Sequence, residues 1–189
     1  MLDLGLQTHA GWHFGFLVLE RGYERTVSCP FRVRFESATV VVELVFDGDR
    51  SYELGLLVVK GDACTQPFSI DEILRLRRAP DAALFSLIQV TTNEAMAMWV
   101  EKLAEAFRTH GGDFIAGNSA SFAELDDQRS KDARTHALGH NVRAARADAS
   151  AAWRRKDYAS VVKSLKPLRA ALTAAEVGKL EYAESQCRK

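Results

Sequence analysis

The sequence predicts an α+β fold: a small antiparallel β-sheet with flanking helices, followed by an all-helical C-terminal part. Three observations lead there. Apolar residues alternate with period two between Phe31 and Val58. From Ser69 onward, hydroxyl–carboxylate pairs spaced for helix capping precede apolar stripes of helical period. Between the two styles of patterning, Gly111, Gly112, Gly117, Asn118 and Ser119 form a breaker cluster. The expected division is an α+β domain over 1–112, made of a helix, a three-stranded antiparallel sheet and two helices. A helical part over 120–189 is expected to pack on it.

The first element, from Leu4 to Glu20, fits a helix with two stripes. One is Leu6, Ala10, Phe14 and Leu17; the other is Trp12, Phe16 and Leu19. Gly11 and Gly15 weaken it by about 1 kcal/mol each, and Gly22 is placed to stop it. The strands follow. Phe31, Val33 and Phe35 alternate with Arg32 and Arg34; after Ser37-Ala38 come Val40, Val42, Leu44 and Phe46; Asp47-Gly48-Asp49 has turn composition, and Tyr52, Leu54, Leu56 and Val58 form the next run. Val41, Val45, Leu57 and Val59 make the second face partly apolar, so the flanking helices are expected to cover the sheet.

Ser69…Glu72 opens a short helix with Ile70, Ile73, Leu74 and Leu76, ending before Pro80. The stretch 82–90 fits either a strand or a loop. Thr91…Glu94 opens a helix with Met96, Trp99, Val100, Leu103 and Phe107 on one stripe; Ser121…Glu124 and Thr173…Glu176 mark two more starts. In the tail, Leu138, Val142, Ala145, Ala149 and Ala152 form a stripe on a helix ending near Arg155. A second helix starts around Asp157 with Tyr158, Val161, Leu165 and Leu168, and Pro167 must kink or split it. Alanines on the first helix let the backbones approach closely.

Ala149, Ala152, Tyr158, Val161, Leu165 and Leu168 fall at the spacing of the small and large packing positions of one tetratricopeptide repeat, which this hairpin resembles. Val161 stands where that family usually has alanine and Thr173 where it usually has proline. The resemblance implies a helical packing unit and, by analogy, protein binding. The plainer alternative is a hairpin that buttresses the N-terminal half. A second resemblance rests on Phe35-Glu36-Ser37-Ala38-Thr39-Val40-Val41-Val42 and Arg50-Ser51-Tyr52-Glu53-Leu54. These segments are similar to those of small bacterial proteins that pair a compact sheet with a helical tail, among them immunity proteins that neutralise toxins. It implies a protein partner and no particular binding residue.

Charge narrows the partner. The chain carries 25 basic and 25 acidic side chains, so it has no bulk attraction for nucleic acid or anionic membrane. The balance is uneven, however: 1–110 holds 11 basic against 15 acidic, and 111–189 holds 14 against 10. Within 142–169 there are eight basic residues against Asp148 and Asp157. A solvated helix face is the plainest account of that stripe. An acidic protein surface is the preferred functional one, met by Arg143, Arg154, Arg155, Lys156, Lys163, Lys166 and Arg146. Nucleic acid is disfavoured, because no aromatics interleave with the charges as base stacking requires.

Chemistry is sparse. His9…His13 and His136…His140 have the i, i+4 spacing that places two rings on one helical face, and Asp132 lies one turn before His136. A metal-dependent hydrolase using Asp132, His136 and His140 is therefore the rival to a binding protein. Gly55…Gly61 does not form a phosphate loop, and Asp71-Glu72 and Asp126-Asp127 read as helix-start charges. Cys29, Cys64 and Cys187 lack metal or redox spacing and suit a reducing cytosol. The apolar stretch Phe14 to Leu19 is too short to span a membrane. The expectation is a cytoplasmic, non-catalytic protein-binding module without a cofactor, an adaptor or an immunity protein.

Overall fold

The computed structural model describes residues 2–61 and 66–188; Cys64 lies outside the described residues. The chain divides into two compact units, 1–129 and 130–189.

The first unit is built on an antiparallel sheet in which β1 (Glu24–Cys29), β2 (Arg32–Glu36), β3 (Val40–Phe46) and β4 (Glu53–Lys60) are neighbours in sequence order. Two short strands, β5 (Phe68–Ser69) and β6 (Ile88–Gln89), both pair with β4. The three expected strands are present, but the sheet has six. β1 escapes the alternation rule because its side chains are mostly exposed and polar, and the other two contribute only two residues each. Register follows the apolar pattern: Phe35 faces Val42, Leu44 faces Leu56 and Val42 faces Val58. A one-residue slip would turn this whole set to the other face.

The face carrying Val33, Phe35, Val42, Leu44, Leu56 and Val58 is fully buried with the helices in one core. α1 (Leu6–His13) and α2 (Gly15–Arg21) supply Leu6, Ala10, Phe14 and Leu17, the first of the two stripes. The single helix expected there is split at Phe14 (φ −98°, ψ 5°), and Gly22 ends the second piece with φ 70°. The second stripe does not hold together: Phe16 is buried, whereas Trp12 is 82% and Leu19 87% exposed. Val41, Val45, Leu57 and Val59, on the opposite sheet face, stay half-buried. The cover expected for both faces is therefore complete on one.

α3 (Ile70–Leu76) opens with the expected Ser69–Glu72 capping box. Glu72 also takes a two-pronged pair from Arg129, at 2.7 and 2.6 Å, while the same guanidinium donates to the Pro67 carbonyl at 2.8 Å and lies over Phe68. Burial pushes the Glu72 carboxyl up, but Arg129 and the Ser69 N–H outweigh it and hold the group below its ordinary value. The 82–90 stretch is both things: a 3₁₀ turn over Ala82–Phe85, then β6. α4 (Asn93–His110) is capped by Thr92, whose hydroxyl accepts from the Ala95 N–H, one residue later than the capping spacing suggests.

The glycine cluster does not divide the units. After α5 (Gly112–Ile115), Phe114, Ile115, Phe122 and Leu125 all join the first core, and the Tyr23 hydroxyl donates to the Ile115 carbonyl at 2.8 Å. Gly117 (φ 71°) turns the chain where any Cβ would meet the Thr39 Oγ1 at 2.5 Å. The boundary expected at 112–120 thus falls near 129, because apolar residues beyond the glycines are drawn into the sheet's core. α6 (Ser119–Arg154) starts two residues before Ser121, which is buried inside it. Residues 130–141 of this helix are exposed at every position, Gly139 among them.

The second unit packs the end of α6 with α7 (Tyr158–Leu165), a 3₁₀ stretch over Lys166–Ala171, and α8 (Ala174–Gln186). Its core is Ala149, Ala152, Val161, Leu165, Leu180 and Ala183. Asp157 caps α7 and the Thr173–Glu176 box caps α8, both as expected. Pro167 ends the regular helix, with Leu168 non-helical at φ −109°. Leu138, placed by its spacing on the apolar stripe, is 50% exposed.

Candidate partner-binding surface

The hairpin bend in the 130–189 unit concentrates the candidate residues. α6 stops at Arg154, the Asp157 N–H returns to the Ala152 carbonyl at 3.0 Å, and Lys156 takes up φ 59° between them. Ser160, through its side chain first and its N–H second, holds the Asp157 carboxyl below the ordinary carboxylate range, with help from Arg155. Tight reversal leaves Arg154, Arg155 and Lys156 exposed in succession.

The seven basic residues separate into two groups. Arg146 is half-buried and spent: its Nε and Nη2 donate to the Glu176 carboxylate at 2.5 and 3.0 Å. Lys166 lies 3.9 Å from Glu184. Arg143, Arg154, Arg155, Lys156 and Lys163 are exposed and carry no ion pair among the described residues. Arg169, outside the seven, pairs with Glu181 at 2.9 Å.

Aromatic rings gather beside the bend. Trp153, Tyr158 and Tyr182 make a closed trio with centroid separations of 5.7, 5.5 and 5.7 Å. Burial and the neighbouring Tyr182 push the Tyr158 phenol above its ordinary value. A cleft of 230 Å³ opens next to Trp153, floored by Ala149, Val161 and Leu165 with Arg154 and Lys179 at its rim. Tyr182 was not visible as part of this group, since it lies off the Leu180–Ala183 stripe and is 49% exposed.

The Arg146–Glu176 pair is a pH-sensitive brace. Hydrogen bonds from Arg146 and from the Thr173 N–H lower the Glu176 carboxyl from 4.5 to about 2. A depressed folded-state value means that stability is fully present above the unfolded value and is lost as pH falls from about 4.5 through about 2. Acid titration of the unit, followed by Trp153 fluorescence in a Trp12→Phe/Trp99→Phe background, should show a loss across that window. Glu176→Gln should flatten it. An unchanged acid limb in the variant would assign the loss elsewhere.

Asp132, His136 and His140 are exposed along one helix. The first and last are eight residues apart, about 12 Å along the axis, too far for one ion. Among the described residues no group of three His, Cys, Asp or Glu is placed to hold a metal, so the proposed triad is not assembled. His9 and His13 share α1, and the His9 Nε2 is buried without a hydrogen-bond partner near Gly5 and Asn93. Among the described residues no helix is long and apolar enough to cross a membrane.

The first unit has its own concavity, of 710 Å³, on the half-buried sheet face. Val27, Cys29, Val45, Gly55 and Leu57 line it together with the exposed Leu87. Two of its lining carboxylates are already engaged: Asp47 by the backbone N–H groups of Asp49 and Arg50 and the Ser51 hydroxyl, and Asp71 by the Ser69 hydroxyl and Arg75.

Protein-family models, curated proteins and solved structures were compared with the chain, and none matches.

Proposed function

We propose that this chain is a non-catalytic protein-binding module, an adaptor or immunity-type protein, that docks an acidic partner through its C-terminal helical unit. The observation that carries this reading is the division of the basic residues. Arg146, Lys166 and Arg169 are used internally, whereas Arg143, Arg154, Arg155, Lys156 and Lys163 are exposed without an ion pair among the described residues. Rim charges of this kind steer encounter and set register more than they add affinity. The cleft beside Trp153 offers the apolar contact that a purely electrostatic surface would lack.

The test uses a partner isolated from the native host with the full chain. The triple variant Arg154→Glu, Arg155→Glu, Lys156→Glu should slow association at low salt by about tenfold or more, with the difference shrinking as salt screens the charges. A partner whose association rate is untouched by the triple variant would remove the basic bend from the interface.

Single-stranded nucleic acid is the second reading. It is favoured by the Trp153–Tyr158–Tyr182 rings: Trp153 and Tyr158 flank Arg154, Arg155 and Lys156, so aromatics do stand among the charges of 142–169, against the expectation from the sequence, and base-stacking sites use such an adjacency. Oligonucleotide binding that weakens steeply with salt would select it over the protein partner.

A further inference from the structure

We infer that the outer edge of β1 is a docking site for an extended peptide segment of a partner protein, with the groove between β1 and α1 receiving its side chains. This surface lies in the 1–129 unit, goes beyond the basic bend, and is tested independently of it.

Among the described residues, β1 is the terminal strand of its sheet and pairs with β2 alone. Hydrogen-bond direction along it follows from its neighbour. The Phe46 N–H donates to the Phe31 carbonyl on the β3 side at 2.9 Å. Backbone groups in antiparallel strands alternate between the two neighbours, so Val33, two residues on, also addresses β3. Ser28, the partner of Val33, therefore directs its N–H and C=O away from β2, to the outer edge. The same parity holds for Arg25 opposite Phe35. An unpaired edge of this kind is a template for a further strand.

The edge is furnished on one side. A groove of 490 Å³ runs between β1 and α1, lined by Arg25 and Ser28 from the strand and by Gln7, Thr8, Gly11 and Trp12 from the helix. Gly11 keeps it narrow: a Cβ there would come within 3.0 Å of the Arg25 Nη1, so the guanidinium lies across the helix backbone at the groove floor. Arg25 is exposed and has no ion pair among the described residues. Trp12, in the groove wall, is 82% exposed and presents a large aromatic surface to an occupant of the groove.

Those features specify the occupant. Main-chain bonds to Ser28 and Arg25 require an extended backbone, Arg25 calls for a carboxylate, and Trp12 calls for an aromatic or branched aliphatic side chain. A bulge between Arg25 and Val27 shortens the regular edge, which suits a short segment and limits indiscriminate sheet growth. The occupant is thus a strand-forming stretch that carries an Asp or Glu and a bulky apolar residue on the same side, two positions apart.

The probe is a library of acetylated, amidated octapeptides of alternating Val, Ile or Thr, with a Glu and a Phe fixed two positions apart, screened by fluorescence polarisation against the full chain. Binders are expected, and Arg25→Ala and Trp12→Ala should each weaken them by about tenfold. Ser28→Pro removes an outward N–H at a position where an edge strand tolerates proline, and should abolish binding. Because that variant could also disturb the strand, the peptides themselves supply the control. N-methylation at alternate residues should abolish binding in one register and leave it nearly unchanged in the other. Equal tolerance of both registers, no binder from the library, or binders lost with the Arg154/Arg155/Lys156 charge reversal but not with Arg25→Ala would overturn the assignment. Dimerisation of the free chain that Ser28→Pro abolishes would give the edge to a second copy instead.

Discussion

Phe14→Ala should be the most damaging single truncation in the sheet-bearing unit, with an expected loss of about 3–5 kcal/mol. Phe14 is wholly buried at the break between α1 and α2, within 6.1 Å of the Phe16 ring and 6.2 Å of the Phe35 ring. It also holds the break in place: its N–H donates to the Ala10 carbonyl and its own carbonyl accepts from Leu17. Alanine keeps those backbone bonds but leaves a ring-sized void between helix and sheet. The measurement is urea unfolding followed by Trp99, which packs edge-on against Phe85 at 6.0 Å. Trp12→Ala, two residues away and exposed, is the internal standard and should stay within about 0.5 kcal/mol. Equal shifts for the two variants would contradict the packing of the α1–α2 break.

Leu180→Ala should have a similar energy and a larger consequence. Leu180 is fully buried in a core of only six residues, three of them alanine. Its truncation is expected to cost about 2–5 kcal/mol. At the usual 0.05–0.15 kcal/mol per residue, a unit of this size has roughly 3–9 kcal/mol in all. The change therefore brings the helical unit close to its midpoint at room temperature. Trp153 in a chain lacking the other two tryptophans, together with helical circular dichroism, reports it. Leu138→Ala, on the nominal apolar stripe of α6 but 50% exposed, should be nearly silent. A native-like melting curve for Leu180→Ala would mean that contacts other than this small core hold the unit.

How much of this was readable beforehand depends on where each signal resides. β3 and β4 announce themselves because one face is fully buried and alternation is enforced by register. β1 does not, because an edge strand with polar faces has no such constraint. The Ser69 and Thr173 boxes are local and were legible; Thr91 and Ser121 were misleading because the same spacing recurs by chance one residue early and inside α6. The breaker cluster at 111–119 marks a turn truly enough, yet a turn is a boundary only if the chain beyond it stays out of the core, and Phe114 and Phe122 do not. For the binding surface, exposure of Arg154–Lys156 followed from the hairpin. The withdrawal of Arg146 and Lys166 did not, since it depends on where α8 sets Glu176 and Glu184. The β1 groove was invisible altogether, because it is made by strand order.

The uninterrupted exposure of α6 through 130–141 has a dynamic corollary. A helix with no apolar face against a neighbour is held there mainly by its own hydrogen-bond ladder, and Gly139 weakens that ladder further. Opening should be cheapest in this middle stretch, while the Phe122–Leu125 end and the Ala149–Ala152 end stay locked. Backbone amide exchange within α6 is therefore expected to be fastest over 130–141.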